Sequence, residues 1–317
     1  MILITGATGF IGNTLSSHLV GQRRTAIAAV RRPANTLPKA IRQISVGDIL
    51  PETDWTQAVA NTDVVIHLAA RAHIMYDIAT NPLSEFRLVN TLGTLNLARQ
   101  AAAAGVRRFI FISSIKVNGE VTNPGEAFTA FDASVPDDPY GISKYEAEQG
   151  LKEMSAQTGM EIVIIRPPLV YGPGVKGNFL NMMRWLHKGI PLPLGAVLNQ
   201  RSLVSLDNLI DLITVCIDHP AAANQTFLVS DGEDLSTTEL LQRLGAALGK
   251  PARLLPVPAS WLYNVLSLLG KEDIAVRLLG SLQIDMRKTC EMLNWSPLIT
   301  VDEALKKTAE AYLQAQC

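Results

Sequence analysis

Cysteine is scarce in this chain. Only Cys216, Cys290 and Cys317 occur among 317 residues. They stand far apart and outside any C-x-x-C or cysteine/histidine cluster, so neither a zinc site nor a disulfide framework is expected. Charge is sparse and balanced: charged residues make up 18% and the formal net charge is −1. That argues against a nucleic-acid partner, which needs a basic surface, while leaving room for a local basic pocket that takes a phosphorylated ligand. No apolar run reaches the roughly 20 residues of a membrane span. The longest charge-free stretch toward the C-terminus, residues 254–270, contains two prolines. It reads as an amphipathic or buried helix, or as a patch for a membrane surface or partner. An apolar strand starts at the first residues and leaves no room for a signal peptide, so a cytoplasmic location is expected. One further absence concerns the second apolar run, AIAAV: no Asp or Glu follows it, where NAD-binding units place an acid for the ribose 2′-hydroxyl.

What is present is ample apolar material, 48% of residues, enough for one large domain or two that share a core. Short apolar runs at 2–5, 25–30, 41–46, 64–68, 108–113 and 161–166 alternate with helical patterns at 12–20, 82–104 and 140–158. Runs of this length, apolar throughout and separated by helices, predict a parallel sheet covered on both faces and wound by right-handed crossovers. The expected fold is therefore α/β, a Rossmann-type doubly wound sheet over residues 1–166. Short strands at 203–205 and 226–229 are expected to rejoin that sheet. Residues 167–202 and 230–317 are richer in proline and glycine, with helical patterns at 237–248, 261–269, 274–282 and 301–313. They predict a smaller, mostly helical substrate region. No internal repeat or low-complexity linker is evident.

Two motifs carry chemistry. After the first strand comes T-G-A-T-G-F-I-G, in which Gly6 permits a tight turn, Gly9 lets backbone approach a pyrophosphate, and Gly12 lets the helix pack on the strand. Glycines also mark ordinary turns, but a triplet between strand and helix in a βαβ unit indicates a dinucleotide. Arg31 and Arg32, after the second strand, suit a 2′-phosphate, so NADP(H) is favoured over NAD(H); a solvated loop is the plainer reading of the same pair. Asp48 would bond the adenine amine or cap a helix. The second motif is Y-G-I-S-K, with Tyr140 and Lys144 four residues apart on one helical face. An unperturbed phenol titrates near 10, and an adjacent ammonium would bring it into a useful range. Ser114, at the end of F-I-F-I-S-S, would face the crevice at the sheet's C-terminal edge and stabilise charge on a substrate oxygen.

These elements, with HLAA at 67–70, VNTLGTLN around Asn90, RPPLVYGPG at 166–174 and QRSLVSLDNLIDLI at 200–213, resemble the extended short-chain dehydrogenase/reductase family, the nucleotide-sugar epimerases, dehydratases and 4-keto reductases. The resemblance covers nearly the whole chain. It implies Ser114, Tyr140 and Lys144 as the catalytic trio. It implies a cofactor lining that includes Phe10, Ile11, Ile49, Leu68, Ala69, Ala70, Asn90 and Pro167. Lys116, Asn178, Arg201 and Arg277 are implied substrate contacts, Arg201 pairing with the nucleotide diphosphate; for Arg277 a surface charge is an equal reading. Ile115 and Lys116 replace the acidic pair of family dehydratases, which disfavours dehydration. Asn118 and Leu169 replace the usual tyrosine and asparagine of two further elements and leave the sugar pocket open.

The leading expectation is a 4-keto reductase of a UDP-4-keto-6-deoxy-N-acetylhexosamine in surface polysaccharide biosynthesis. The alternative is a UDP-glucose or UDP-N-acetylglucosamine 4-epimerase, and a more distant one a non-catalytic NADP(H) sensor. No metal is expected. A homodimer through the helices at 82–104 and 140–158 is expected, by two-fold packing.

Overall fold

The computed structural model describes residues 1–72, 81–132 and 136–316; Cys317 lies outside them. Seven strands form one parallel sheet: β1 (Ile2–Thr5), β2 (Ala26–Val30), β3 (Arg42–Ser45), β4 (Val64–His67), β5 (Arg108–Ile112), β6 (Glu161–Arg166) and β9 (Gln225–Leu228). Their order is β3-β2-β1-β4-β5-β6-β9. Alternate side chains of the central strands enter different cores. Ile27 and Ala29 of β2 join Leu97, Ala101 and Leu151 on one face, while Ala28 and Val30 join Leu15, Leu209 and Ile213 on the other. A strand buried on both faces needs a continuous apolar run, which is the pattern the sequence carries. Each buried Val, Leu or Ile side chain among them contributes roughly 1.5–3 kcal/mol.

Chain direction across the sheet reverses between β1 and β4. The crevice for ligands in such sheets lies beyond the strand C-termini at this switch point. The turns after β1 and β4 meet there: Leu68 N–H donates to the Thr5 carbonyl. A Cβ on Gly6, whose φ is +66°, would lie 2.7 Å from the Ala69 nitrogen. Gly6 is thus required by both its conformation and its neighbour.

Of the two short strands expected to rejoin the sheet, only β9 does, pairing with β6. β8 (Arg201–Ser205) instead sits between β7 (Leu169–Tyr171) and β10 (Asp234–Leu235) in a separate three-stranded sheet. Pro167 and Pro168 follow directly on β6, and lacking N–H groups they take the chain out of the large sheet. β7 then offers β8 a parallel edge, and β9 takes the vacant edge of β6.

The expected 82–104 helix changes gauge along its length. Pro82–Phe86 and Thr94–Ala103 are α-helical, and Arg87–Gly93 between them is a wide π-helix. It packs against the Pro139–Thr158 helix. A third core joins β7, β8 and β10 to the helices Gly177–His187, Thr237–Ala247 and Val301–Gln314. The last two start in capping boxes, Ser236 with Glu239 and Thr300 with Glu303, a feature that stabilises by about 1 kcal/mol. Helices Ala259–Leu268 and Glu272–Leu279 pack on each other at the periphery.

Candidate active site

The helix Phe10–Gly21 begins at Gly9, which offers no side chain to the first-turn N–H groups, and that turn holds no acid. Gly9 N–H donates back to Gly6 O at 2.9 Å. A Cβ on Gly12 would stand 2.2 Å from that same oxygen. The result is a tight turn with open donors at a positive helix end, suited to a pyrophosphate. Phe10 and Ile11 are half-buried and pack against the core. The residues present therefore fit a dinucleotide. Leu68 and Ala69 are half-buried and Ala70 exposed on the facing turn.

Arg31 and Arg32 are exposed after β2, and Arg31 Nε pairs with Asp48 Oδ1 at 3.0 Å. Asp48 caps no helix: the short turn Thr56–Val59 has Trp55 at its N-cap. Ile49 packs on the π-helix, where a Cβ on Gly93 would come within 2.8 Å of its Cγ2.

Lys144 is buried at 1% exposure. Its Nζ donates to the Ile112 carbonyl at 2.8 Å and lies 4.4 Å from the Phe111 ring centroid. Burial lowers its pKa to about 7, against the pull of Glu148 one turn on. Tyr140 is half-buried, with Phe86 edge-on at 5.9 Å. Burial, reinforced by Asp138, raises its phenol above the ordinary value. The expectation that Lys144 lowers the phenol is thus not realised in this arrangement, because the ammonium is turned toward the end of β5. Ser114 is half-buried, and its Oγ accepts from Lys116 N–H at 3.2 Å, capping the turn Ile115–Val117. Pro167 anchors that turn by accepting from Ile115 N–H at 3.0 Å.

Asn90 is engaged with protein on both sides. Its Oδ1 accepts from Arg71 N–H at 2.8 Å, and its Nδ2 donates to Arg71 O and Ser143 Oγ. Thr91 Oγ1 donates to Ser143 O at 2.8 Å. The wide π-turn lets these consecutive side chains reach the same neighbouring helix, a common use of π-helical segments at functional sites. Asn90 thus ties the β4 turn to the helix bearing Tyr140 and Lys144.

Lys116 pairs with Glu120 and with Asp138, the latter at 3.2 Å at the start of the helix bearing Tyr140. Arg201 opens β8 and donates to Gly280 O at 2.9 Å. Its pKa is lowered, chiefly by burial, and Arg277 adds to that lowering while Glu120 opposes it. Arg277 itself is exposed on Glu272–Leu279. Asn178 is exposed in the first turn of Gly177–His187, inside the helix and not before it.

Several structural contributors have roles that a reading of motifs does not give. His67, fully buried, links Thr5 Oγ1 at 2.7 Å to Thr94 Oγ1 at 2.9 Å. Burial and Lys144 lower its pKa to about 3, so the ring is neutral. Ser113, beside the candidate Ser114, donates to buried Glu148 at 2.6 Å, and Glu148 is forked by Arg166 at 2.9 and 2.6 Å. Asn118 Oδ1 accepts from Arg166 at 2.9 Å. Tyr171, Ser205 and Asn208 all converge on Asp231 at 2.7 Å. For Glu148 the sequence offers only a Glu four residues beyond Lys144, whereas His67, Arg166, Tyr171, Ser205 and Asn208 lie inside the quoted motifs. No group of His, Cys, Asp or Glu suited to a metal ion occurs among the described residues. Cys216 and Cys290 are free thiols.

A glycine turn at the switch point of a parallel sheet, with a hydroxyl and a Tyr/Lys helix at the same edge, defines a dinucleotide-binding protein of the short-chain dehydrogenase/reductase type. The family model "NAD dependent epimerase/dehydratase family" matches residues 2–230, and the chain belongs to that family. It is 52% identical over 317 residues to a UDP-glucose 4-epimerase of Vibrio cholerae, covering 99% of this chain and 96% of the relative. It is 29% identical over 287 residues to the N-acetyl-alpha-D-glucosaminyl-diphospho-ditrans,octacis-undecaprenol 4-epimerase of Escherichia coli O157:H7, covering 87% and 82%. The fold matches a UDP-glucose 4-epimerase of Thermotoga maritima with TM-score 0.80 at 21% identity, covering 100% and 99%. No described helix is long and apolar enough to cross a membrane.

Proposed function

We propose that this protein is a UDP-hexose or UDP-N-acetylhexosamine 4-epimerase. The observation that carries this reading is the 52% identity, over essentially its full length, to a UDP-glucose 4-epimerase. It favours the alternative of the sequence reading over the 4-keto reductase. A bound nicotinamide would accept a hydride from sugar C4 and, once the 4-keto sugar has turned over, return it to the opposite face. In this reading Tyr140 takes the proton from the 4-hydroxyl and gives it back, and Ser114 Oγ holds the same oxygen. Lys144 carries the positive charge that favours the phenolate once it leaves the Ile112 carbonyl. Arg201 holds the diphosphate, with Arg277 in support and Lys116 and Asn178 nearer the sugar. Residues 167–202 and 230–317 form the sugar-binding region, and the protein acts in the cytoplasm as a dimer. An epimerase must retain its cofactor through the cycle, so NAD is the proposed dinucleotide. The Arg31–Asp48 pair, which answers one of the two arginine charges with a carboxylate, fits that assignment.

The 4-keto reductase remains the second reading, on one observation: no acid follows β2, and Arg31 and Arg32 stand exposed there. One pair of assays separates them. UDP-glucose and UDP-N-acetylglucosamine are incubated with purified protein without added cofactor, and C4 epimers are followed. Interconversion, lost in Tyr140→Phe, supports the epimerase. Stoichiometric NADPH loss with a UDP-4-keto-6-deoxy-N-acetylhexosamine, without interconversion, overturns it in favour of the reductase.

A further inference from the structure

The helix Ala259–Leu268 buries none of its ten residues. Trp261 is 70% exposed, Leu268 87% and the adjoining Leu269 62%, with Tyr263 and Val265 about half exposed. Leu262 alone leans on the third core. The apolar surface continues beyond the helix. Residues 192 and 196 bridge to 254 and 258, which brings exposed Leu198 and Leu255 alongside. Lys250 Nζ donates to His187 O at 2.8 Å, tying in the segment that carries the exposed Trp185 and Ile190.

The charge carried by the two segments that form this face has one sign. Residues 184–198 and 249–271 contain Arg184, Lys188, Lys250, Arg253 and Lys271 and no Asp or Glu. All five cations are exposed. The first carboxylate beyond them, Glu272, accepts from Ser267 Oγ at 2.7 Å. Contiguous exposed apolar surface marks an interaction site. Trp, Tyr and Leu interspersed with Lys and Arg suit the boundary between lipid tails and anionic headgroups. A second copy is disfavoured, since two such faces would oppose like charges.

We propose that this face docks on an anionic lipid bilayer, with the 259–269 helix immersed at the headgroup level. The Glu272–Leu279 helix that carries Arg277 packs directly on it, so docking holds that wall of the sugar site beside the membrane. The proposal goes beyond the epimerase reading and needs no catalysis for its test.

Purified full-length protein is floated with vesicles of phosphatidylcholine alone or mixed with phosphatidylglycerol. It is expected to rise only with the phosphatidylglycerol vesicles and to be released by high salt, which screens surface charge. The double variant Trp261→Ser, Leu268→Ser should partition at least about tenfold less, and Lys271→Glu should partition less as well. Both should retain the wild-type melting profile, since these side chains are too exposed to support the fold. Wild-type protein that stays with neither vesicle overturns the proposal. So does a wild-type oligomer that the double variant dissociates, which would assign the face to a second copy. Turnover of soluble UDP-sugar without vesicles should be equal in wild type and double variant. Its absence in both would count against the epimerase reading alone.

Discussion

Arg166 grips Glu148 through two guanidinium nitrogens, at 2.9 and 2.6 Å, in the interior between β6 and the helix bearing Tyr140 and Lys144. Glu148 is completely buried and Arg166 only 3% exposed. Ser113 and Asn118 complete the set, so every formal charge in it meets a hydrogen-bonding partner. Removing one member of a buried pair leaves a charge uncompensated and costs about 3–5 kcal/mol. Glu148→Ala should therefore lower stability by about that amount, measured by urea unfolding. Glu148→Leu with Arg166→Met removes both charges together and should regain a large part of the loss. A double variant no more stable than Glu148→Ala would contradict this account of the pair.

The doubly wound sheet was legible because strands buried on both faces leave continuous apolar runs, as AIAAV and RFIFI do. The glycine turn and the Tyr/Lys spacing were legible because each rests on local geometry. The partner of β8 was not, because pairing is decided by which edges remain open, and Pro167 and Pro168 act at a distance in sequence from β8. Asn90, Tyr171 and Asn208 stand in recognisable motifs, yet their hydrogen bonds go to protein. Asn90 ties two elements together, and the other two converge on Asp231, far along the chain. A motif marks where a side chain is needed without saying whether ligand or protein needs it. The cation pattern of Arg31 and Arg32 suffered in the same way, since Asp48 reaches Arg31 from the end of a different strand.

Within the trio, the losses on substitution should be unequal. Tyr140→Phe removes the proton carrier and should lower kcat by about 10²–10⁴-fold. Ser114→Ala removes one hydrogen bond to the reacting oxygen and should cost about 10²-fold or somewhat more. Lys144→Met removes a cation that is buried and desolvated in the free protein, so the variant should fold at least as stably as wild type while losing kcat. Calorimetry beside steady-state kinetics checks all three. A Tyr140→Phe protein with near wild-type kcat would remove Tyr140 from the mechanism.

The proposed two-fold dimer makes its own demand on the Pro82–Ala103 and Pro139–Thr158 face. Leu88 and Leu92 are exposed there, at 36% and 48%. A single leucine half covered by a partner is worth about 1–2 kcal/mol, and an opposed pair of like charges adds repulsion. Leu92→Arg should shift the mass measured by light scattering from dimer to monomer at micromolar concentration. Wild-type protein that is monomeric throughout would dispose of the dimer.

Buried His67 predicts how the fold responds to acid. Its pKa is lowered from 6.5 to about 3, first by burial and then by Lys144. The folded ring therefore stays neutral between those values, while the unfolded ring gains a proton below 6.5. Stability contributed by this group is present above the unfolded pKa and falls as pH drops toward the folded one, with a slope of about 1.4 kcal/mol per pH unit once well below 6.5. Between pH 7 and pH 5 this single residue should account for about 2 kcal/mol. Lys144 also has a lowered folded pKa, about 7 against 10.5. It works over a separate window, raising stability as pH climbs from 7 toward 10.5, and so does not confuse the acid limb. Urea unfolding of wild type and His67→Gln at pH 7 and pH 5 isolates the effect. The variant should be weaker at pH 7, through the altered links to Thr5 and Thr94, yet lose about 2 kcal/mol less than wild type on going to pH 5. Equal losses in the two proteins would mean that the acid response comes from carboxylates elsewhere and that the ring takes up its proton without opening the fold.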